Sequence, residues 1–218
     1  MRCPTLLPLA IVVGLASSAS AMPIGPDCDT CQGSIYELTY DPDPVATTAT
    51  TKTWRITLSI DTSGYEGPGS YINTVAVKVT NDFVAASLVS APGGVADWLA
   101  TFGGLSAAGC TGAGSGFDCV AFAASLSLAP AVPGATYVWA FDIEVPTGAL
   151  FTGPEQASVK TRYVTATGFK AGALVSEGIT LTSYQRPSVP EPTGAALLAA
   201  GAALARLGRS CWGRPAGV

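Results

Sequence analysis

Residues 137–145 read YVWAFDIEV, and this stretch decides the fold class. Large apolar side chains occupy every second position, and small or polar side chains occupy the positions between them. Because successive side chains of a β-strand point to opposite faces of a sheet, a period of two predicts a strand with one face in a core and the other in solvent. The stretch therefore predicts a half-buried strand.

The same alternation recurs on both sides of this stretch. It is clearest at residues 54–60 and 75–79, where the second run places Ala76 and Lys78 on the side opposite its valines. Further strands are predicted at residues 34–40, 83–89, 117–123, 158–166 and 178–184. Residues 96–102, ADWLATF, fit either a single helical turn or a short strand.

Turn residues separate these runs. The segments DPDP at 41–44, APGG at 91–94 and APAVPG at 129–134 are rich in proline, which fixes φ, and in glycine, which accepts positive φ. No long amphipathic helix is visible in the central region. About eight strands with short turns predict an all-β fold, an antiparallel β-sandwich over residues 22–186 with immunoglobulin-like or jelly-roll-like topology.

Candidate catalytic groups are few. The chain contains no histidine, which excludes Ser-His-Asp and Cys-His machinery and histidine metal sites. Asp142 and Glu144 lie two apart on one predicted strand, so they share a face at a spacing of roughly 7 Å, close to that of glycosidase carboxylates. Because the large apolar residues form the opposite face, this acidic face is expected to be solvated, and no catalytic residue is assigned.

Two kinds of ligand site can be considered. Aspartates on loops offer the hard oxygen ligands that calcium prefers: Asp27, Asp29, Asp41 and Asp43. No DxDxDG loop accompanies them, and aspartate and proline also build ordinary turns, so no metal or cofactor is assigned. Tyr65 or Tyr71, near the loop at 63–70, offers a ring on which a sugar could stack.

The first 21 residues have the pattern of a secretory signal peptide. Arg2 precedes an apolar run over 6–16, and small residues follow it. Ala19 and Ala21 satisfy the small-x-small cleavage rule, so the mature chain is expected to start at residue 22. The apolar run is shorter than the roughly 20 residues of a spanning helix. We therefore expect export by the Sec machinery.

Export places four cysteines in an oxidising compartment: Cys28, Cys31, Cys110 and Cys119. Three pairings are possible, and the local ones, Cys28 with Cys31 and Cys110 with Cys119, are the simplest. A redox CxxC motif or a zinc site remains an alternative for the first pair. The redox motif and the zinc site are both less favoured than a structural disulfide, because the CxxC motif directly follows an export signal and the chain has no histidine.

Removal of both end segments makes the domain more acidic. Four of the 11 basic residues lie outside residues 22–192, so that within this range seven basic residues face 15 acidic residues and the formal charge is near −8. Nucleic-acid binding depends on basic patches. The charge therefore argues against a nucleic-acid partner.

The C-terminal segment at 187–218 differs from the rest of the chain. Val189, Pro190, Glu191 and Pro192 precede an uncharged run rich in alanine and leucine, and Arg206 and Arg209 follow it. Alanine and leucine are good helix formers, so a short apolar helix over 193–207 with a basic tail is predicted. This helix is short for a hydrocarbon core of ~30 Å, and the arginines can snorkel to the headgroups.

This combination resembles the PEP-CTERM sorting signal of bacteria that make exopolysaccharide. The resemblance implies recognition by an exosortase, a membrane-embedded transpeptidase-like enzyme that would cut at or near 190–192. The residues of the signal would then be recognised, not catalytic. The stretches YELTYDP and YINTVAVKV also look like surface β-proteins of this group, to which no biochemical activity is assigned.

Together these features predict an exported, non-enzymatic protein of the cell surface or extracellular matrix, associated with exopolysaccharide and biofilm. The expected partners are the Sec machinery, an exosortase, the membrane before processing, and, as an open candidate, exopolysaccharide. Two alternatives stay open. An exposed coplanar row of aromatic rings would favour a carbohydrate-binding module, and convergent buried carboxylates would favour an exopolysaccharide-modifying hydrolase.

Overall fold

The computed structural model describes residues 23–112, 116–125, 129–149 and 157–183. Within these ranges the chain forms thirteen strands and one 3₁₀ turn, which confirms the all-β prediction. No helix in the described ranges has the length and apolar character needed to cross a membrane. The predicted signal peptide with Ala19 and Ala21, and the predicted sorting signal with its helix, lie outside the described residues.

Six strands form the first sheet, sheet A. Their order is β13 (Leu181–Ser183), β1 (Ile35–Tyr40), β3 (Thr51–Asp61), β10 (Thr136–Pro146) and β5 (Ala85–Ser90), with β2 (Ala46–Thr47) paired to β3. Strands β3 and β10 form the longest ladder, from the pair Thr51 and Pro146 to the pair Asp61 and Thr136. The pairing of β1 with β13 is parallel, and the other pairings of sheet A are antiparallel.

Five antiparallel strands form the second sheet, sheet B. Their order is β12 (Val175–Gly178), β11 (Ser158–Val164), β4 (Tyr71–Lys78), β9 (Asp118–Phe122) and β6 (Trp98–Phe102). A separate hairpin consists of β7 (Gly104–Ser106) and β8 (Gly109–Gly112). The 3₁₀ turn covers Val95–Asp97 and leads directly into β6, so the segment at 96–102 contains both structures that its sequence allows.

One core joins the two sheets. Strand β10 buries the face that its sequence predicts, with Trp139 and Phe141 fully buried and Ile143 and Val145 nearly so. Trp139 of sheet A meets Trp98 of sheet B edge to face, with ring centroids 5.5 Å apart. Such a contact adds to the burial of two large apolar side chains. The predicted antiparallel sandwich is therefore present, with one parallel strand pair at an edge.

The predicted strand at 178–184 is wrong in one respect. Strand β12 ends at Gly178 in sheet B and β13 begins at Leu181 in sheet A, so the chain crosses between the sheets within this segment. Ile179 is buried at the crossing. A buried residue between two short strands has the same apolar character as a residue within one strand, which is why the pattern does not reveal the crossing.

Ala76 also departs from its predicted position on a solvated face. It is fully buried in a second, smaller cluster with Leu105, Phe117 and Cys119. The β7–β8 hairpin supplies Leu105 and covers the outer face of sheet B at this point. The disulfide between Cys110 and Cys119 links that hairpin to β9.

Candidate functional site

A polar groove lies on the outer face of sheet A. Strand β1 buries Tyr36 and Leu38, so its alternate residues Glu37 and Thr39 point outward. The register places Glu37 beside Ser59 and Thr39 beside Thr57 on β3. These four residues and Asp41 line a depression of about 360 Å³.

The groove combines two carboxylates with three hydroxyl groups. Carboxylate oxygens accept hydrogen bonds, and threonine and serine hydroxyls both donate and accept them. Among the described residues that line the groove, none is aromatic. These residues can therefore bind hydroxyl-rich molecules through hydrogen bonds, without a ring on which a sugar would stack.

An ion pair borders the groove. Arg55 on β3 lies opposite Asp142 on β10, and its Nε and Nη2 donate to the two carboxylate oxygens at 2.8 and 2.9 Å. The hydrogen bond and charge of Asp142, with the charge of Asp41, raise the pKa of Arg55 above its ordinary value. This two-point contact fixes both side chains and neutralises Asp142.

The predicted pair Asp142 and Glu144 does lie on the outer face, where both side chains are partly exposed. A second depression of about 190 Å³ is lined by both carboxylates and by Thr53, Ala85, Ala86 and Ser87. A hydrolase of the glycosidase type needs one carboxyl group that holds a proton. Both carboxylate oxygens of Asp142 accept hydrogen bonds from Arg55, so Asp142 is engaged in an ion pair and is not free to act as such an acid.

The tyrosines considered for sugar stacking have internal partners. The ring of Tyr65 stacks on Tyr163 with centroids 4.2 Å apart and planes 16° apart, and its hydroxyl accepts the N–H of Gly69 at 2.9 Å. Tyr71 packs partly buried against the core. Tyr65 is therefore part of the internal packing, which does not support its use as a free platform for a sugar.

Tyr163 also belongs to a buried hydroxyl cluster. Its hydroxyl lies 2.8 Å from Ser34 Oγ and 3.2 Å from the hydroxyl of Tyr36. Burial raises the pKa of Tyr163 to about 12, and burial with the neighbouring Tyr163 raises the pKa of Tyr36 as well. Both phenols stay protonated at physiological pH, so this cluster connects β1 and β11 through neutral hydroxyl groups.

Disulfide bonds are present, and both join cysteines that are close in sequence. Cys28 and Cys31 are bonded in the turn before β1, with Cα atoms 5.2 Å apart. Cys110 of β8 and Cys119 of β9 are bonded with Cα atoms 5.7 Å apart. Thiols in a disulfide are not available as zinc ligands, so the zinc alternative for the first pair does not fit this state.

The calcium hypothesis gains no support in the described ranges. They contain no group of three or more Cys, Asp or Glu side chains that could hold a metal ion. Asp41 instead has a local role, since its backbone N–H donates to the carbonyl oxygen of Arg55 at 3.0 Å and ends β1 beside β3. Asp41 thus ends β1 and also lines the polar groove.

The sequence reasoning missed Asp118. This residue is only 2% exposed, and neither carboxylate oxygen has a hydrogen-bond partner among the described residues. Burial raises the pKa of its carboxyl group to about 6. The sequence signal was present, because Asp118 interrupts the otherwise apolar run FDCVAF at 117–122.

Comparison with known proteins identifies no family. No family model matches the chain, and no curated protein matches it. Solved structures similar to it include a putative membrane anchored protein from Corynebacterium diphtheriae, with 8% identity and a TM-score of 0.38 over 78% of this chain and 40% of that one. Another is BcpA, the major pilin subunit of Bacillus cereus, with 8% identity and a TM-score of 0.33 over 67% of this chain and 41% of that one. The chain thus spans about two fifths of each structure, and these scores do not transfer a function.

Proposed function

We propose that this chain is an exported, non-enzymatic β-sandwich of the cell surface or extracellular matrix, sorted by a C-terminal signal of the PEP-CTERM type. The observation that carries the proposal is the pair of disulfide bonds within an acidic sandwich. Disulfides persist in oxidising compartments outside the cytosol. They agree with the export signal that the sequence predicts at 1–21.

The state of the polar side chains supports a non-enzymatic role. Asp142 is neutralised by Arg55, and the buried hydroxyls of Tyr36 and Tyr163 bond to each other. Asp118 is buried without a basic or nucleophilic partner among the described residues. No described group thus combines a nucleophile, a base and an orienting partner, which a catalytic site requires.

Processing of the tail tests the sorting part of the proposal. The intact mass of the secreted protein is measured from cells with and without exosortase activity. We expect a new C-terminus near Pro192 in the competent cells and an unprocessed tail in the others. Replacement of Pro190, Glu191 and Pro192 by alanine is expected to abolish processing, whereas Arg214→Ala, in the same tail, leaves it intact. An unprocessed tail in competent cells would contradict the proposal.

Carbohydrate binding is a second candidate function, favoured by the polar groove. Its two carboxylates and three hydroxyls suit the hydroxyl groups of a saccharide. A glycan array with the secreted protein tests this role, and Glu37→Gln with Asp41→Asn should remove any binding. Asp82→Asn, at an exposed site outside the groove, serves as the control. Binding that survives loss of both groove carboxylates would exclude the groove as the site.

A further inference from the structure

The edges of the two sheets are protected unequally. Within the described residues, sheet A ends in β13 and β5, and sheet B ends in β12 and β6. Free sheet edges invite pairing with other chains, and proteins blunt them with short strands, charges, proline or bulges. Strand β13 has three residues, β12 has four and carries Glu177, and the ladder of β5 with β10 contains a register shift.

Strand β6 has none of these protections. Its five residues, WLATF, include no charge and no proline, and its ladder with β9 runs in continuous register. The surrounding sequence has the same character, because residues 83–112 contain a single charged side chain, Asp97. The whole chain, by contrast, carries 15 acidic and 11 basic residues.

The hydrogen-bonding groups at the outer side of β6 can be assigned from its ladder. At the two ends, the N–H of Ala123 donates to Asp97 O and the N–H of Gly103 donates to Phe117 O. Because the direction of these groups alternates along an antiparallel strand, the odd-numbered residues of 97–103 bond to β9. Ala100 and Phe102 therefore turn their N–H and C=O groups away from the sheet. Trp98 turns its C=O the same way, while its N–H bonds to Val95 O.

Apolar side chains are exposed along the same edge. Leu99 is 62% exposed and Phe102 is 60% exposed, although both are large. Phe102 contacts Phe83 with ring centroids 5.6 Å apart, and Val84 and Val95 are also exposed. An uncharged strand whose outward backbone groups have no backbone partner among the described residues, and whose apolar side chains are exposed, is suited to receive another strand.

We propose that β6 pairs with β6 of a second copy of this chain, antiparallel and around a two-fold axis at Ala100. The outward backbone groups lie at positions 98, 100 and 102. One antiparallel register brings the outward groups of the two copies together. In this register Ala100 faces Ala100 of the second copy, and Trp98 faces Phe102 of the second copy. Leu99 then lies opposite Thr101 of the second copy. The two copies of sheet B form one continuous sheet.

The absence of charge favours a second copy over other partners. Two copies of an acidic protein repel each other over most of their surfaces. At β6 no like charges meet, and a basic or acidic partner has no charge on this strand to recognise. Five paired residues bury less than the roughly 1,200 Å² of a standard interface, so the association is weak and depends on concentration. This inference is independent of the sorting signal.

Sedimentation equilibrium of the secreted protein tests the pairing. We expect a monomer–dimer equilibrium that Phe102→Lys weakens at least ten-fold, because the lysine brings charge to both sides of the axis. Ala100→Pro removes an outward N–H and should act in the same direction. Phe169→Lys, at a ring that is 74% exposed elsewhere, is the matched control and should leave the equilibrium unchanged.

Cysteine cross-linking tests the register. The Cα atoms of a hydrogen-bonded antiparallel pair are about 5.5 Å apart, which is within reach of a disulfide. Ala100→Cys should therefore form a covalent dimer under mild oxidation, and Thr101→Cys, which faces Leu99, should form little. A monomer at concentrations up to about 0.1 mM, equal effects of the two lysine variants, or equal cross-linking at both positions would overturn the proposal.

Discussion

Asp118 is a buried carboxyl group that makes stability depend on pH. Burial raises its pKa from 3.8 to about 6, so the folded protein holds this proton where the unfolded chain has lost it. The contribution of Asp118 to the free energy of unfolding is therefore largest below the unfolded pKa, falls as the pH rises toward the folded pKa, and stays low above it. At 1.36 kcal/mol per pKa unit, the loss is about 3 kcal/mol.

Asp118→Asn should remove this pH dependence. Because the amide cannot ionise, the variant is expected to be more stable than the wild type at neutral pH by up to about 3 kcal/mol, and to lose that advantage near pH 4. Urea unfolding at both pH values measures the difference, with Asp82→Asn at an exposed site as the control. A constant difference between variant and wild type across this range would contradict the assignment.

Asp118 also shows what the pattern of apolar residues does not predict about a single side chain. The alternation in residues 137–145 identifies which side chains of β10 are buried, because one face of that strand meets solvent. Strand β9 has no solvated face, since Cys119 and Val120 are both fully buried. A period of two does not tell which face of such a strand is inside, so alternation alone does not place Asp118 in the core, and only its position within an apolar run signals its burial.

At the scale of elements, the disulfide between Cys110 and Cys119 holds the β7–β8 hairpin against sheet B. Its sequence separation is 9, against 3 for the bond between Cys28 and Cys31. The stabilisation by a crosslink rises with the length of the loop that it closes. The bond between Cys110 and Cys119 should therefore stabilise the fold more than the bond between Cys28 and Cys31.

Replacement of both residues of a pair by alanine measures this effect. The Cys110→Ala, Cys119→Ala variant is expected to lose about 2–3 kcal/mol, and the Cys28→Ala, Cys31→Ala variant about 1.5 kcal/mol. Chemical denaturation under non-reducing conditions gives both values. Hydrogen exchange should rise mainly in β7 and β8 of the first variant. If the two variants were equally destabilised, loop length would not be the controlling factor.

Most strands could be predicted from the alternation of apolar and polar residues. Which strands pair with each other could not be predicted. The pattern at residues 54–60 and 137–145 locates β3 and β10 but does not state that they pair along their full length. For the same reason Glu37 and Ser59 could be read as outward residues of separate strands, while the polar groove they line depends on the register between those strands. The β7–β8 hairpin escaped prediction because glycine and alanine give it no apolar period.

At the scale of the whole molecule, the common core predicts that both sheets unfold together. Phe141 of β10 is fully buried in the cluster that also contains Val75 and Val77 of β4 in the other sheet. Phe141→Ala is expected to cost about 3–5 kcal/mol. Amide exchange should accelerate in β4 as much as in β10, because small single domains generally unfold in one transition.

Val138→Ala is the matched control for this experiment. Val138 lies on the same strand, is 43% exposed and points outward, so its truncation should cost less than about 1 kcal/mol. Faster exchange confined to sheet A in the Phe141 variant would show that the two sheets are separate cooperative units.

The parallel pairing of β1 with β13 has a consequence for timing. Leu38 lies beside Leu181, so one of the first strands to leave the ribosome obtains its outer neighbour from one of the last segments of the domain to be made. Ile24 pairs with Tyr36 at the start of β1, but until the later segment emerges the outer edge of β1 at residues 38–40 has no neighbour, and contacts between such distant positions form slowly. A translation product that stops before residue 181 would lack this neighbour and would keep the edge at residues 38–40 open to pairing with other chains.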